Sequence, residues 1–328
     1  MFLIISEIYL FLFRTHVKLG NRHKLSVGTE YIVDVLKSQT DNIAKEDAYT
    51  LALFAQDEIK LLRNLQALIG VRYIYHENFK NHATPNVALM YKPGKFNFRA
   101  SYAAGFRTPT LSELYATDIA KKNDRLTIGN LDLKSEKNNY FSLSAEYVHE
   151  RFSVSVNAFY NNIRDMIDYN TIATGDKAME QYGHKEVRQR DNIAEAKVHG
   201  INVSANAYLG AGFNLSGGYT HLNTQDVELG QPIDKSIKNA YNINAQWAHS
   251  WKIYRLNINL NGRINSKRFS KSYGYAPEYQ LWDLNTRHSF NLKSVIIEPG
   301  CGMENLFDYM DDRPYNSNYA TLTPGRSF

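Results

Sequence analysis

Apolar and polar residues alternate one by one along much of the chain. Between residues 141 and 147, Phe, Leu, Ala and Tyr alternate with Ser, Ser and Glu, and the run 152–158 repeats the pattern after a polar tip at Glu150-Arg151. A period of two predicts a β-strand with one apolar and one polar face. Two such runs around a short tip predict a hairpin.

The same alternation occurs in further segments on both sides of this hairpin. Downstream it returns at 201–207, 213–220, 241–247 and 256–261, and upstream at 25–31, 51–55, 67–73, 87–91 and 96–102. The apolar start, residues 1–13, is interpreted as a chain that begins within a strand, because it lacks the basic region and cleavage site of a signal peptide. The pattern predicts about fourteen strands.

The predicted connections alternate between short and long. Short tips are expected at 93–94, 150–151, 210–212, 250–252 and 292–294, and long polar connections at 37–46, 106–138, 170–185, 224–238 and 265–278. Short turns on one side and long loops on the other are typical of an outer-membrane barrel, with periplasmic turns and extracellular loops. Aromatic residues near predicted strand ends fit an interfacial girdle. These are Tyr140, Tyr147, Tyr160, Trp247, Trp251 and Tyr254.

Composition narrows the class of protein further. The 328 residues are 43% hydrophobic and 22% charged, and no stretch approaches the roughly 20 apolar residues of a spanning helix. The net charge of +5 is modest, and the basic clusters lie in predicted loops without a nucleic-acid-binding motif. We find no nucleophile elbow, metal-ligand spacing or phosphate loop. We therefore predict no enzyme activity, no catalytic or metal site, no cofactor and no nucleic-acid partner.

Three short motifs occur in a fixed order. Residues 104–115 read Ala-Gly-Phe-Arg-Thr-Pro-Thr-Leu-Ser-Glu-Leu-Tyr, residues 129–137 read Gly-Asn-Leu-Asp-Leu-Lys-Ser-Glu-Lys, and residues 305–308 read Asn-Leu-Phe-Asp. They resemble the FRAP, NPNL and NLFD boxes of TonB-dependent receptors, with Thr108 in place of Ala and Leu131 in place of Pro. Residues 157–167 and 192–201 resemble family strands. The motif residues are Phe106, Arg107, Pro109, Gly129, Asn130, Leu133, Asn305, Leu306, Phe307 and Asp308.

Local chemistry gives these motif residues an architectural interpretation. Pro109 cannot donate a ladder hydrogen bond, so it is expected to end the strand that begins at Phe96. Asn305 and Asp308 suit a tight turn, because their side chains bond nearby backbone groups. These roles would be needed whatever the protein carries, so a structural role is the default prediction for the boxes.

The resemblance implies an all-β, antiparallel transmembrane β-barrel that supplies about 14 of 22 strands. Residues 1–328 would be a fragment of one barrel domain, with the N-terminal plug and the first strands missing. The implied function is uptake of a scarce nutrient, a ferric siderophore, haem or a cobamide, across the outer membrane of a Gram-negative bacterium. The implied partners are outer-membrane lipid and the TonB energy-transducing complex, which acts through the missing plug. Residues 110–128 contain no His, which argues against haem.

The segment between the first two boxes is the candidate for cargo capture. Residues 110–130 are predicted to be the longest irregular connection, and long irregular loops in compact folds are usually functional or disordered. The residues suited to a polar, partly aromatic ligand are Glu113, Tyr115, Asp118, Lys121, Lys122 and Arg125. The alternative is a solvated surface loop with no ligand.

Two other classes of protein remain open at this point. One is a passive outer-membrane channel, a porin-like barrel that needs no energy partner. The other is a soluble carbohydrate-binding β-sandwich, which would bury one face of each strand in a shared core.

Overall fold

The computed structural model describes residues 4–38, 43–120, 124–193, 195–270, 274–310 and 325–327. The elements up to the second box are β1 (Ile4–Leu19), β2 (His23–Ser38), β3 (Ile43–Leu62), β4 (Leu65–His76), β5 (Lys80–Tyr91), β6 (Phe96–Arg107), α1 (Leu111–Tyr115), β7 (Asp118–Ala120) and β8 (Arg125–Ile128). The following elements are β9 (Glu136–Val148), β10 (Phe152–Arg164), β11 (Met166–Thr174), α2 (Gly175–Tyr182), β12 (Glu186–Ile193), β13 (Ala196–Gly210), β14 (Phe213–Asp226) and β15 (Asn239–Trp251). The last are β16 (Tyr254–Asn265), β17 (Arg268–Ser270), β18 (Gly274–Ala276), β19 (Tyr279–Leu292), β20 (Val295–Ile297) and β21 (Gly300–Met303).

One large antiparallel sheet dominates the molecule. It contains 15 strands in the order β1-β2-β3-β4-β5-β6-β9-β10-β13-β14-β15-β16-β19-β20, with β21 also paired to β19. Neighbours in this sheet are also neighbours in sequence, apart from the places where a connection carries its own strands. The predicted all-β, antiparallel architecture is confirmed. Within the described ranges, β1 and β20 lie at opposite ends of the sheet and do not pair with each other.

The described part of the chain contains only two short helices, and neither is long and apolar enough to cross a membrane.

The apolar face of the sheet is the more exposed one, which is the reverse of the arrangement in a water-soluble protein. We call the face that carries Leu143 and Val156 the outer face, and the face that carries Ser142 and Ser155 the inner face. Leu143 is 64% exposed and Val156 41% exposed, whereas the Ser residues between such positions are only half-exposed. A water-soluble sandwich hides its apolar face between two sheets. The sandwich alternative is therefore wrong, and the exposed apolar face suits lipid.

The inner face carries cross-strand polar contacts. The hydroxyls of Ser101 and Ser142 lie 2.6 Å apart, and those of Ser155 and Ser204 lie 2.7 Å apart. The Asn244 amide donates to Asn259 Oδ1 at 2.6 Å. Such pairs satisfy polar groups on a face that has no apolar core to cover it. The face predicted to be the wetter one is therefore confirmed as the polar face.

The expected alternation of connections is largely confirmed. Short turns lie where they were predicted, and three further short connections, at 20–22, 63–64 and 77–79, were missed. The one at 77–79 lies on the side of the long connections, and the connection predicted at 37–46 is shorter than expected because β2 continues to Ser38 and β3 begins at Ile43. The connection predicted at 170–185 is shorter than expected because β11 continues to Thr174 and α2 fills most of the remainder. Tyr140 is a wrong assignment to the girdle, because its register opposite Ala103 and Asn161 places it on the inner face. Trp247, Trp251 and Tyr254 form the expected aromatic group, with Trp251 and Tyr254 stacked at 5.4 Å.

Candidate functional site

The first box ends a strand and starts a helix. β6 ends at Arg107, and the buried Pro109 separates it from α1. Thr110 caps this helix: its hydroxyl accepts from the Glu113 amide at 3.1 Å, and its own amide donates to Glu113 Oε2 at 2.9 Å. This reciprocal capping box satisfies donors that a helix start otherwise leaves open. The expectation that Pro109 follows the strand end is confirmed.

Arg107 joins the first box to the second. Its guanidinium donates to both carboxylate oxygens of Glu136, from Nε at 2.9 Å and from Nη2 at 2.7 Å, and to Glu113 Oε2 from Nη1 at 2.8 Å. The Glu136 carboxylate also accepts from the Ile167 amide at 2.8 Å. We call Arg107, Glu113 and Glu136 the box junction. Bidentate arginine–carboxylate pairs fix geometry as well as charge, so the junction holds three chain segments together.

The charge state of the junction is set by these contacts. Burial raises the pKa of the Glu113 carboxyl, but hydrogen bonds from Arg107 and Thr110 lower it more, so this pKa lies below its ordinary value. A carboxyl whose pKa is lowered by folding stabilises the folded state at pH values above its pKa in the unfolded chain. This contribution is lost as the pH falls through its pKa in the folded protein. The Glu113 contribution to stability is therefore present at neutral pH and is lost only in acid.

The second box packs against the helix of the first. The Asn130 amide donates to the Glu113 carbonyl at 3.1 Å, and the Asn130 side chain donates to the Arg190 carbonyl at 2.9 Å. A Cβ at Gly129 would lie 2.5 Å from the Leu114 carbonyl oxygen. Only glycine allows this approach of backbone to backbone. Both motif residues thus have the structural role that was their default prediction.

Substitution of Gly129 by Ala is expected to destabilise the protein by about 1–3 kcal/mol, because the added methyl group meets backbone that cannot move aside freely. The measurement is urea unfolding of the folded protein in lipid vesicles. Gly217→Ala is the matched control, since its Cβ would lie an ordinary 3.4 Å from the Asn242 carbonyl oxygen. Equal stability of the two variants would contradict the close packing of the boxes.

Apolar side chains seat the boxes on the inner face. Leu111 packs against Leu36 of β2 and Ala48 of β3, two buried residues whose register places them on the inner face. Leu114 and Leu133 pack together with Ile167, the second residue of β11. The boxes therefore lie against the inner wall, at the end of the sheet where the long connections are.

A second sheet unites two of the long connections. Its strand order is β11-β12-β8-β7, so it combines the connection between β6 and β9 with that between β10 and β13. We call it the loop sheet. The central pair, β8 and β12, is parallel. Just before β8 and β12 begin, the Asp124 carboxylate lies 2.8 Å from His184 Nδ1. The hydrogen bond with His184 holds the pKa of the Asp124 carboxyl below its ordinary value.

The expectation of an irregular connection at 110–130 is wrong. Its described residues include α1, β7 and β8, and β8 pairs with β12, about sixty residues further along the chain. One face of the loop sheet is covered by α2, where Ala178 and Val187 are fully buried. The other face carries Arg125, Arg188, Arg190 and Tyr169, because the ladder registers place them on one side. The Arg190 guanidinium lies 3.9 Å from the centre of the Tyr169 ring.

The candidate cargo residues are not brought together into one group. Glu113 belongs to the box junction, and Tyr115 packs against both apolar clusters of the boxes. Asp118 is exposed at the start of β7, and Arg125 begins β8. Lys121 and Lys122 lie outside the described residues. In the part of the chain that the structure describes, no group of three His, Cys, Asp or Glu could hold a metal ion.

Asn192 is a residue of this site that the sequence analysis did not single out. Its side-chain oxygen accepts from the Lys134 amide at 2.7 Å, and its amide donates to the carbonyls of Lys134 and Asp165 at 3.0 and 2.6 Å. It thereby ties the second box to the start of β11. Nothing local in the sequence distinguishes Asn192 from the many other Asn residues of the chain.

The third box forms a turn beside β19. The buried Asn305 accepts from the Tyr309 amide at 2.8 Å and donates to the Tyr309 carbonyl at 2.7 Å, while its own amide donates to Asp283 at 2.9 Å. The Leu306 amide donates to the Trp282 carbonyl at 2.6 Å, and Phe307 is 64% exposed. Asn305 and Asp308 both have positive φ, 51° and 55°. The predicted tight turn is confirmed.

The sequence has a recognisable family match. Residues 7–304 match the model of a family described as "TonB dependent receptor-like, beta-barrel". The ferric enterobactin receptor of Pseudomonas aeruginosa is 22% identical over 88% of this chain and 44% of its own length. The probable TonB-dependent siderophore receptor PiuA of Acinetobacter baumannii is 30% identical over 42% of this chain and 20% of its own length.

Solved structures share the fold. A point mutant of the ferric enterobactin receptor PfeA of Pseudomonas aeruginosa superposes with a TM-score of 0.81 at 18% identity, over 98% of this chain and 53% of that one. The siderophore receptor PirA of the same organism gives a TM-score of 0.76 at 18% identity, over 98% and 55%. The sheet is therefore a partial barrel wall, and the chain spans about half or less of the length of these relatives.

Proposed function

The chain belongs to the family of TonB-dependent receptor-like β-barrels, and we propose that it forms barrel wall of an outer-membrane receptor for a ferric siderophore. In this proposal the membrane is the outer membrane of a Gram-negative bacterium, and the long connections face outward. Energy for transport comes from the TonB complex, which acts through the plug of the complete receptor. The outer face contacts lipid, since its exposed apolar positions need an apolar solvent.

The loop sheet is the observation that carries this proposal. A selective receptor needs its recognition residues held in place by rigid elements. Here two long connections form one four-stranded sheet, and the box junction and the Leu111 contact fasten the box segment of that sheet to the inner wall. A receptor requires such a preorganised surface to recognise its cargo, whereas a passive channel does not require one.

The chemistry of that surface favours an anionic cargo with aromatic groups. Arg125, Arg188 and Arg190 share one face of the loop sheet with Tyr169, while Glu186 pairs with Arg188 on that face. Guanidinium groups bind carboxylates and phenolates through charged hydrogen bonds, and they stack on rings. Relatives named as siderophore receptors support this cargo over haem and cobamides. We propose Asp118 and Arg125 as residues that take part in capture.

Deletion of the coding sequence in its native host is expected to abolish uptake of one radiolabelled ferric siderophore, while uptake of haem and cobalamin continues. Loss of the host's TonB should abolish the same uptake. Uptake that continues without TonB would instead show a passive channel, and loss of haem uptake alone would show a haem receptor. The control is the deletion strain complemented with the wild-type sequence at its own locus.

A further inference from the structure

A basin opens on the inner face at the end of the sheet where the short turns lie. The ladder registers place its side chains in two neighbouring rows across β1 to β6. The row nearer to the turns runs from Lys60 through Gln66 and Met90 to Arg99. The other row consists of Lys18, Lys24, Glu58, Leu68, Ala88 and Ser101. Ser101 is opposite Ser142, so both rows lie on the inner face. We call this site the inner basin.

The inner basin has a small and largely apolar floor. Its cavity has a volume of about 700 Å³, and the lining includes Leu68, Ala88 and Met90. Ala88 and Ser101 are opposite each other and have short side chains, so the floor is low between longer neighbours. Lys60 and Arg99 are three strand spacings apart, which is about 14 Å. The basin therefore has the dimensions of a compact small molecule.

Positive charge is in excess around this floor. Among the described residues that line the cavity, one is a carboxylate, Glu58, and five are cationic: Lys18, Arg22, Lys24, Lys60 and Arg99. Glu58 pairs with Lys24 at 3.3 Å, whereas Lys18, Lys60 and Arg99 form no ion pair with any described residue. Lys18 is also directly opposite Lys24. Like charges in such positions repel each other, so a bound anion would relieve the repulsion.

The charged groups further along the same wall already have partners. Toward the long connections, the Arg72 guanidinium donates to the Glu30 carboxylate. The Arg14 guanidinium lies 5.7 Å from the centre of the Phe54 ring. The cations of the inner basin differ from these, because most of them lack a partner within the protein.

The inner basin is separate from the loop sheet. Lys60 and Ala48 both lie on the inner face of β3, twelve residues apart, and Ala48 is the residue on which Leu111 of the box segment packs. Twelve residues of strand span roughly 40 Å. One small molecule cannot contact the loop sheet and the basin together, so the basin is a second site.

We propose that the inner basin is a second station for the anionic cargo, which rests there after it leaves the loop sheet and before it passes the turn end of the wall. The ligand class is a compact, multiply charged anion with aromatic groups, such as a ferric tris-catecholate. The cations attract its negative charge, and the apolar floor contacts its rings. The cations surround a compact floor and do not follow a line, so a compact anion contacts them together better than an extended acidic segment does.

Lysine suits a station that must also release its cargo. A transport path needs sites that bind strongly enough to attract the cargo and weakly enough to let it leave. Ammonium groups on flexible stems give charge attraction without the fixed fork geometry of arginine. This inference rests on the proposed function, which supplies both the anionic cargo and the inward orientation of the short turns.

The test measures binding of ferric tris-catecholate, labelled with radioactive iron, to the complete receptor purified from outer membranes in mild detergent. In equilibrium dialysis, wild type should bind the probe in two classes, a tight one at the loop sheet and a weaker one in the inner basin. K60E/R99E should keep the tight class and bind the weaker one about tenfold less tightly or worse, because two attractions become repulsions. R125A/R190A should lose the tight class and keep the weaker one. The neutral variant K60Q/R99Q should fall between wild type and K60E/R99E.

K92E/K95E is the matched control, because it reverses two exposed charges at the same end of the wall but outside the lining of the basin. It should keep both classes. In cells, K60E/R99E should bind the probe at the surface like wild type and take it up several times more slowly, whereas K92E/K95E should take it up at the wild-type rate.

A wild type that shows the tight class alone would overturn the inner basin as a cargo station, and so would K60E/R99E with both classes unchanged. If wild type lacks the weaker class and K60E/R99E loses its heat-dependent gel mobility at a lower temperature, the cations hold a protein segment instead. A wild type without the tight class would contradict the proposed function, so the two failures are distinguishable.

Discussion

Replacement of Arg107 by Met is expected to destabilise the joined connections by about 2–4 kcal/mol, between the small value of an exposed ion pair and the large value of a buried one. The arginine side chain is 42% exposed, but its partners Glu113 and Glu136 are only 13% and 16% exposed. Without Arg107, the Glu113 and Glu136 carboxyl groups would lie close together, mostly withdrawn from water and without their shared cationic partner. The loss should be local, because Arg107 and Glu136 pair at the very ends of β6 and β9, while the rest of these strands stays paired along the large sheet.

Native-state hydrogen exchange can measure this local effect. In the Arg107→Met protein, amides of β7, β8, β11 and β12 should exchange faster, while those of β14 to β16 should not change. Uptake of the proposed siderophore cargo should also fall, because the loop sheet would be less ordered. Lys24→Met is the control, since Lys24 pairs with Glu58 across an exposed contact of 3.3 Å and should cost less than about 1 kcal/mol.

A double-mutant cycle separates the ion pair from packing. If the carboxylate left behind causes most of the loss, then Arg107→Met combined with Glu136→Leu should cost less than the sum of the two single substitutions. Additive effects would mean that the two side chains stabilise the site independently. Unchanged exchange in the loop sheet of Arg107→Met would refute the role assigned to the box junction.

The faces of the large sheet could be predicted from the sequence because their signal is local. A strand reveals its two faces through a period of two, and antiparallel neighbours joined by short turns fix each other's register. The assignment of Phe141, Leu143 and Tyr147 to the outer face follows from this pattern alone. Tyr140 was assigned wrongly because aromatic character near a strand end was given more weight than its place in the alternation.

The loop sheet could not be predicted because its contacts are not local. β8 and β12 pair in parallel across about sixty residues of chain, and no turn between them fixes the register. Each is short, and its apolar positions, such as Val187, are explained only by α2 packing on them. One available signal was overlooked: Thr110 and Glu113 have the spacing of a capping box before an apolar residue, which predicts the start of α1.

The motif residues show why a family box is informative without revealing a binding site. Arg107 and Glu136 are 29 residues apart, and each alone resembles an ordinary surface charge. The pairing of Arg107 with Glu136 explains why the first two boxes occur together. The first box supplies the guanidinium. The second box supplies the carboxylate, together with Gly129, which packs closely against α1. The boxes build a platform for the loop sheet, whose side chains recognise the cargo in the function proposed above.

The lipid-facing assignment of the outer face leads to a large and asymmetric mutational effect. Val156→Arg should destabilise the protein by about 2–4 kcal/mol, because a mid-strand arginine on the outer face would be placed in hydrocarbon. Ser155→Arg, at the adjacent position on the inner face, should cost less than about 1 kcal/mol, since it loses one hydroxyl contact to Ser204 and gains Glu146 as a cross-strand neighbour.

The measurement is the free energy of unfolding by guanidinium chloride in phospholipid vesicles, with both variants compared with wild type. The adjacent positions share the same strand, depth and backbone pairing, so they differ mainly in the medium that each side chain enters. Equal destabilisation of the two variants in vesicles would mean that the apolar face is not in lipid, and the membrane-spanning interpretation of the sheet would fail with it.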